Sequence, residues 1–88
     1  MFSKKVIIKN KLGLHARPAA LFVQLANKFQ AEIFLSKNGM EVNGKSIMSV
    51  MMLAVESGSE IIIRAVGEDA VNAVKALTEL VESGFDEE

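Results

Sequence analysis

The chain has 88 residues, half of them apolar, with no cysteine and a formal net charge of −1. Such a length fits one domain over 1–88 that buries a core without disulfide or metal staples. Absent thiols exclude thiol redox chemistry and thiolate metal sites, and near-neutral charge excludes a bulk basic field for nucleic acid. No run approaches the roughly 20 apolar residues of a membrane span. The leading MFSKKVIIKN lacks the apolar centre of a signal peptide. A cytoplasmic location is therefore expected, in keeping with the missing cysteines.

Lys5 to Lys9, KVIIK, reads as a short β-branched strand. Gly13 and Pro18 then interrupt the pattern. The spacing of Ala19, Phe22, Val23, Ala26 and Phe29 predicts a helix over 16–29 with that face on the core. Arg17, Gln24, Asn27 and Lys28 fall on the other side. Pro18 lies in the first turn, where its missing N–H is harmless.

The segment AEIFLSKNGMEVN reads as a hairpin. Asn38-Gly39 suits a type I′ turn between Ile33–Lys37 and Met40–Val42. Ser46 is a good N-cap for a short helix over Ile47–Leu53. EIIIRAV, after Gly58, reads as a strand buried on part of both faces and closed by Gly67. The last helix runs from Glu68 to about Ser83, with Ala70, Val74, Leu77 and Val81 on one stripe. Glu68-Asp69 in its first turn suits the helix dipole, and Gly84 stops it. A short acidic end, FDEE, follows. The order β-α-β-β-α-β-α favours a two-layer α+β domain with three helices on one sheet face.

His15 is the single histidine. It lies between Gly13 and Pro18, just before a predicted helix. Helix N-termini present unpaired N–H groups and partial positive charge, which together bind anions. A phosphorylated imidazole at this N-cap would sit next to those donors, beginning with the N–H groups of Ala16 and Arg17. The Arg17 guanidinium would add a charge-assisted hydrogen bond. A lone histidine at a helix start also reads as an ordinary surface or capping residue, and the residues alone leave both readings open. A metal site is not expected, because no second histidine or cysteine would complete one. No nucleophile motif supports a Ser-His-Asp triad.

Two segments carry a resemblance. GLHARPAALFVQLANKF is similar to the active-site segment of the HPr family, the phosphocarriers of the bacterial sugar phosphotransferase system. VNGKSIMSVMMLAVESGSEI resembles that family's second signature, around its regulatory serine. The resemblance covers essentially the whole chain. It implies an open-faced β-sandwich, a four-stranded antiparallel sheet of order 1-4-2-3 with three helices on one face. It also implies a relay rather than an enzyme, with no cofactor. Enzyme I, charged by phosphoenolpyruvate, would phosphorylate His15 at Nδ1, with Ala16 and Arg17 holding the phosphate. His15 would then hand the group to enzyme IIA domains of sugar transporters. A neutral imidazole near pH 7 is a competent nucleophile for such work.

By the same resemblance Ser46 is a regulatory phosphorylation site, with the HPr kinase/phosphorylase and a catabolite-control transcription factor as further partners. As residues alone, Ser46 is a plain N-cap. Ile47, Met48 and Met51 are expected to form an exposed patch near His15, bordered by Ala20 and Gln24, because a short helix does not bury every side. Methionine suits a surface that meets several partners. Four positions depart from the family pattern. Leu12 replaces a polar residue, Ser49 and Ala54 stand where glycines are common, and Met52 stands where a small polar residue is common. Two rival readings are weaker. A regulatory module of the same fold that uses Ser46 alone lacks the histidine, which this chain has. A ferredoxin-like RNA binder needs exposed aromatics on its sheet, and the chain has no Trp or Tyr.

Overall fold

The computed structural model describes residues 1–86. In chain order it contains β1 (Phe2–Ile7), α1 (Ala16–Ala26), β2 (Glu32–Lys37), β3 (Met40–Asn43), α2 (Ile47–Met52), β4 (Glu60–Val66) and α3 (Ala70–Glu82). A 3-10 turn, Gly84–Asp86, follows. The strands form one antiparallel sheet of order β1-β4-β2-β3, the expected order.

Alternation along β4 places Ile61, Ile63 and Ala65 on the helix-covered face and leaves Ile62 and Val66 exposed. This corrects the reading of EIIIRAV as buried on parts of both faces. A β-branched run satisfies the extended backbone whether or not its second face is covered, so composition alone misled. The register sets Val6 opposite Ile61, and Ile33 and Leu35 opposite Ala65 and Ile63. Those inward side chains meet Phe22 from α1, Val50 from α2, and Val74, Leu77 and Val81 from α3 in one core. Burying a side chain such as Phe22, which is wholly enclosed, stabilises by about 1.5–3 kcal/mol.

The structure shifts several boundaries. β1 begins at Phe2 and ends at Ile7, against the expected Lys5–Lys9, because its length is set by pairing from Phe2–Ala65 to Ile7–Glu60. Ser3 and Lys5 tolerate this on the open face. α1 ends at Ala26, not Phe29. The Asn27 amide donates to the carbonyls of Val23 and Lys45, and Lys45 Nζ donates to Phe29 O at 2.6 Å. These bonds satisfy carbonyls at the helix end and turn the chain; Val23 and Phe29 are only half-buried.

α2 ends at Met52, and Leu53 is its cap. α3 starts at Ala70, so Glu68 and Asp69 precede the helix rather than occupying its first turn. Asp69 accepts the N–H groups of Gln30 and Ala31 at 2.9 and 2.8 Å. The Gln30 bond first, then that from Ala31, hold its carboxyl below the usual range. Asp69 thus pins the α1–β2 connection to the start of α3. The hairpin turn is as expected, with positive φ at both Asn38 and Gly39, the type I′ geometry. At the C-terminal end, Phe85 is fully buried, so only part of FDEE is an acidic tail; its last two residues lie outside the described ones.

Candidate functional site

His15 is the N-cap of α1, with extended backbone (φ −73°, ψ −174°) and a ring that makes no capping hydrogen bond. Its carbonyl accepts the Ala19 N–H at 3.0 Å and so opens the helix. The first helical residues, Ala16 and Arg17, are both exposed. Their N–H groups belong to the first turn, where no intrahelical acceptor exists. Pro18, third in the helix, is buried and has no N–H to orphan. The α1 start therefore offers donors from Ala16 and Arg17.

The chain leading to His15 is held tightly. Ile8 N donates to Ser59 O at 2.9 Å, and Gly58 N to Ile8 O at 2.8 Å. Leu14, buried next to His15, donates its N–H to Val55 O at 3.0 Å. Between them the buried Asn10 closes a turn. Its side-chain amide donates to Gly13 O at 2.7 Å, and its backbone carbonyl accepts the Gly13 N–H at 3.2 Å. Gly13 has φ +67°, and a Cβ there would lie 2.4 Å from Val55 O. Only glycine permits that approach. The half-exposed imidazole sits in an open depression of about 410 Å³, between Lys11, Leu12 and Leu14 on one side and Ala54 to Ser57 on the other.

Asn10 was invisible to pattern reading, because its role is a local turn bond with no periodic or motif signal. A larger depression, about 580 Å³, lies on the open sheet face around Lys5, Ser36, Glu41 and Glu60. It shares no residue with the His15 site and mixes both charge signs. No cluster of three or more potential metal ligands occurs among the described residues.

Ser46 caps α2: its Oγ accepts the Ser49 N–H at 3.3 Å, and its carbonyl accepts the Val50 N–H at 3.0 Å. It is half-buried. α2 turns Val50 into the core and leaves Ile47, Met48 and Met51 exposed, as expected. Met52 is exposed as well, at 75%, and extends the patch beyond the expected residues. α1 and α2 pack together. On α1, Gln24 is exposed and Ala20 half-exposed. The loop after α2 runs through Ala54 and Val55, which border His15.

The geometry agrees with the comparisons to known proteins. Residues 2–83 match the family model PTS-HPr, described as the PTS HPr component phosphorylation site. The chain is 50% identical over 88 residues to the phosphocarrier protein HPr of Xylella fastidiosa (strain 9a5c), covering 100% of this chain and 99% of the relative. It is also 50% identical over 82 residues to the HPr-like protein Crh of Bacillus subtilis (strain 168), covering 93% and 96% of the two chains. A crystal structure of HPr-C-His from Thermoanaerobacter tengcongensis superposes with a TM-score of 0.97 at 51% identity, covering 100% and 99%. With fold, length and sequence all in agreement, the chain belongs to the HPr family of phosphocarrier proteins.

Proposed function

We propose that residues 1–88 act as one carrier unit that takes a phosphoryl group onto His15 from phospho-enzyme I and passes it to enzyme IIA domains of sugar transporters. One observation carries this reading: the single histidine caps α1 beside the first-turn N–H groups, with its half-exposed imidazole in an open depression. In the transfer, a lone pair of the neutral imidazole, on Nδ1 by family likeness, forms an N–P bond as the donor's P–N bond breaks. The Ala16 and Arg17 N–H groups and the Arg17 guanidinium stabilise the phosphate charge. The unit is substrate and donor in turn, and its partners supply the remaining catalytic groups. No helix among the described residues is long and apolar enough to cross a membrane, and the reading places the relay in the cytoplasm, on the inner side of the transporters.

Ile47, Met48 and Met51, bordered by Ala20 and Gln24, form the docking patch in this reading. Ser46, at the foot of the same helix, is the regulatory site. Its phosphorylation by the HPr kinase/phosphorylase would place about two negative charges at the patch, weakening some partners and admitting a catabolite-control transcription factor. The test is phosphoenolpyruvate, enzyme I and a mass measurement. Wild type gains one acid-labile phosphate, and His15→Ala gains none while keeping its fold. Acid-labile phosphorylation of His15→Ala would overturn the reading.

A further inference from the structure

The chain has no cysteine, so its five methionines carry all its oxidisable sulfur. In the structure all five are exposed: Met1, Met40, Met48, Met51 and Met52. Methionine is ordinarily a core filler, and here none serves as one. Three of the five lie within α2, at 73, 43 and 75% exposure, and the residue anchoring that helix inward is Val50. α2 leads through Leu53 into the Ala54–Ser57 loop that borders His15.

We propose that Met48, Met51 and Met52 form a reversible oxidation site for peroxide-class oxidants, and that their sulfoxides suppress phosphotransfer by spoiling the docking patch. The inference rests on the docking role given to α2 above. The chemistry balances with hydrogen peroxide as co-reactant. The peroxide O–O bond breaks, an S–O bond forms on each thioether, sulfur gives up two electrons to the peroxide, and water leaves. The product is a polar, chiral sulfoxide in place of a flexible apolar side chain; methionine sulfoxide reductases restore the thioether with a dithiol as reductant, the S–O bond breaking, the oxygen leaving as water and the dithiol becoming a disulfide.

The placement makes this a switch rather than damage. Oxidising a buried methionine disrupts a core, but no methionine is buried here, so the fold survives the modification. Met1 and Met40 oxidise as well, yet neither is on α2. Met1 Sδ lies by Arg64 on the sheet, and Met40 opens β3 after the hairpin turn. Functional loss should therefore follow the α2 sulfoxides alone. Partner docking buries the patch, and an interface that buries a sulfoxide oxygen must find it a donor or lose affinity.

The experiment treats the intact protein with hydrogen peroxide, maps the sulfoxides by peptide mass, and measures phosphorylation by enzyme I and phosphoenolpyruvate. The expected result is an unchanged melting temperature and a rise in KM for the carrier of about tenfold or more, equivalent to ~1.4 kcal/mol. Methionine sulfoxide reductases of both epimer specificities, supplied with dithiothreitol, should reverse it. Met40→Leu should remain fully sensitive to peroxide. The triple variant Met48→Leu, Met51→Leu, Met52→Leu, judged against its own untreated rate, should be insensitive. An unchanged KM in wild type bearing all three α2 sulfoxides overturns the inference, as does equal sensitivity in the triple variant. If untreated protein accepts no phosphate, the carrier reading itself fails and the inference falls with it, so the two failures are distinct.

Discussion

Gly13→Ala tests whether the loop that presents His15 is held by contact rather than by chance. The added methyl group meets two obstacles. At φ +67° an L-residue bears left-handed strain of about 1–2 kcal/mol. Its Cβ would also stand 2.4 Å from Val55 O, a backbone atom that does not rotate away. The loop must therefore lift, and the Leu14 N–H bond to Val55 O is the first to break, worth about 0.5–1.5 kcal/mol net. The expected destabilisation is roughly 1.5–3.5 kcal/mol. At about 4–8 °C per kcal/mol for a chain of this size, the melting temperature should fall by roughly 6–28 °C. Gly39→Ala is the control, since Gly39 has φ +83° and nothing lies within 4 Å of where its added methyl carbon would stand; it carries the strain without the clash. Urea melts of both variants separate the two contributions. Phosphorylation of His15 should slow in Gly13→Ala under conditions where it is folded, and not in Gly39→Ala. Equal stability losses in the two variants would refute the argument that Val55 O closes the loop.

Ala54 has φ +54°, so Ala54→Gly should stabilise by roughly 0.5–1 kcal/mol, the left-handed strain less the extra unfolded-state freedom of glycine; thermal melts decide the sign. Asp69 has a lowered folded pKa through its Gln30 and Ala31 bonds, so its contribution is complete above the unfolded value of about 3.9 and lost as pH falls through the folded one. Asp69→Asn should therefore be less stable than wild type at pH 7, with the gap closing in acid below about pH 4, as read from urea melts at a series of pH values. Ser46→Asp should fold with stability equal or higher by up to about 1 kcal/mol yet show a raised KM with enzyme I, most strongly at low salt; tight binding at low salt would refute the electrostatic account of Ser46.

Most of the architecture was legible because it follows from short-range rules. Asn38-Gly39 demanded a type I′ turn, the 3.6-residue stripes marked the long helices, and Ser46 had the chemistry of a cap. What pattern reading missed was decided by partners distant in sequence. The end of α1 is chosen by Lys45 and Asn27, the start of α3 by an Asp69 carboxylate turned toward Gln30 and Ala31, and the start of β1 by the length of β4. EIIIRAV shows the same limit from the other side: three isoleucines in a row say strand, but only the sheet's covered face says which of them is core. The site divides likewise. His15 at the start of α1 and Ser46 as the cap of α2 were legible from residue type and placement, whereas the roles given to them and to Arg17 come from the family resemblance. Asn10 did not, because its work is a turn bond to Gly13, and Met52 did not, because a six-residue helix with one inward anchor exposes more than periodicity allows.

Ala54 shows how a departure from the family pattern acquires a physical meaning. The resemblance leads one to expect glycine there, and φ at this position is positive, a conformation that glycine adopts without strain. Alanine holds the same conformation at the expense of strain, and the loop compensates with bonds on either side: Ala54 N donates to Met51 O at 3.1 Å, and Lys37 Nζ donates to Ala54 O at 3.1 Å. The next residue, Val55, is the one whose carbonyl receives Leu14 and closes on Gly13. The two halves of the His15 depression thus share a single seam. The loop from α2 on one side and the α1 start on the other meet across this backbone bond. In the proposed docking, a partner that grips the apolar side chains of α2 would gain a rigid reference for the imidazole through this seam, which is what in-line transfer between two proteins requires. On that proposal a charge or an oxygen placed on α2 would act on the grip and leave the seam intact, so modification at this helix should change association before it changes chemistry.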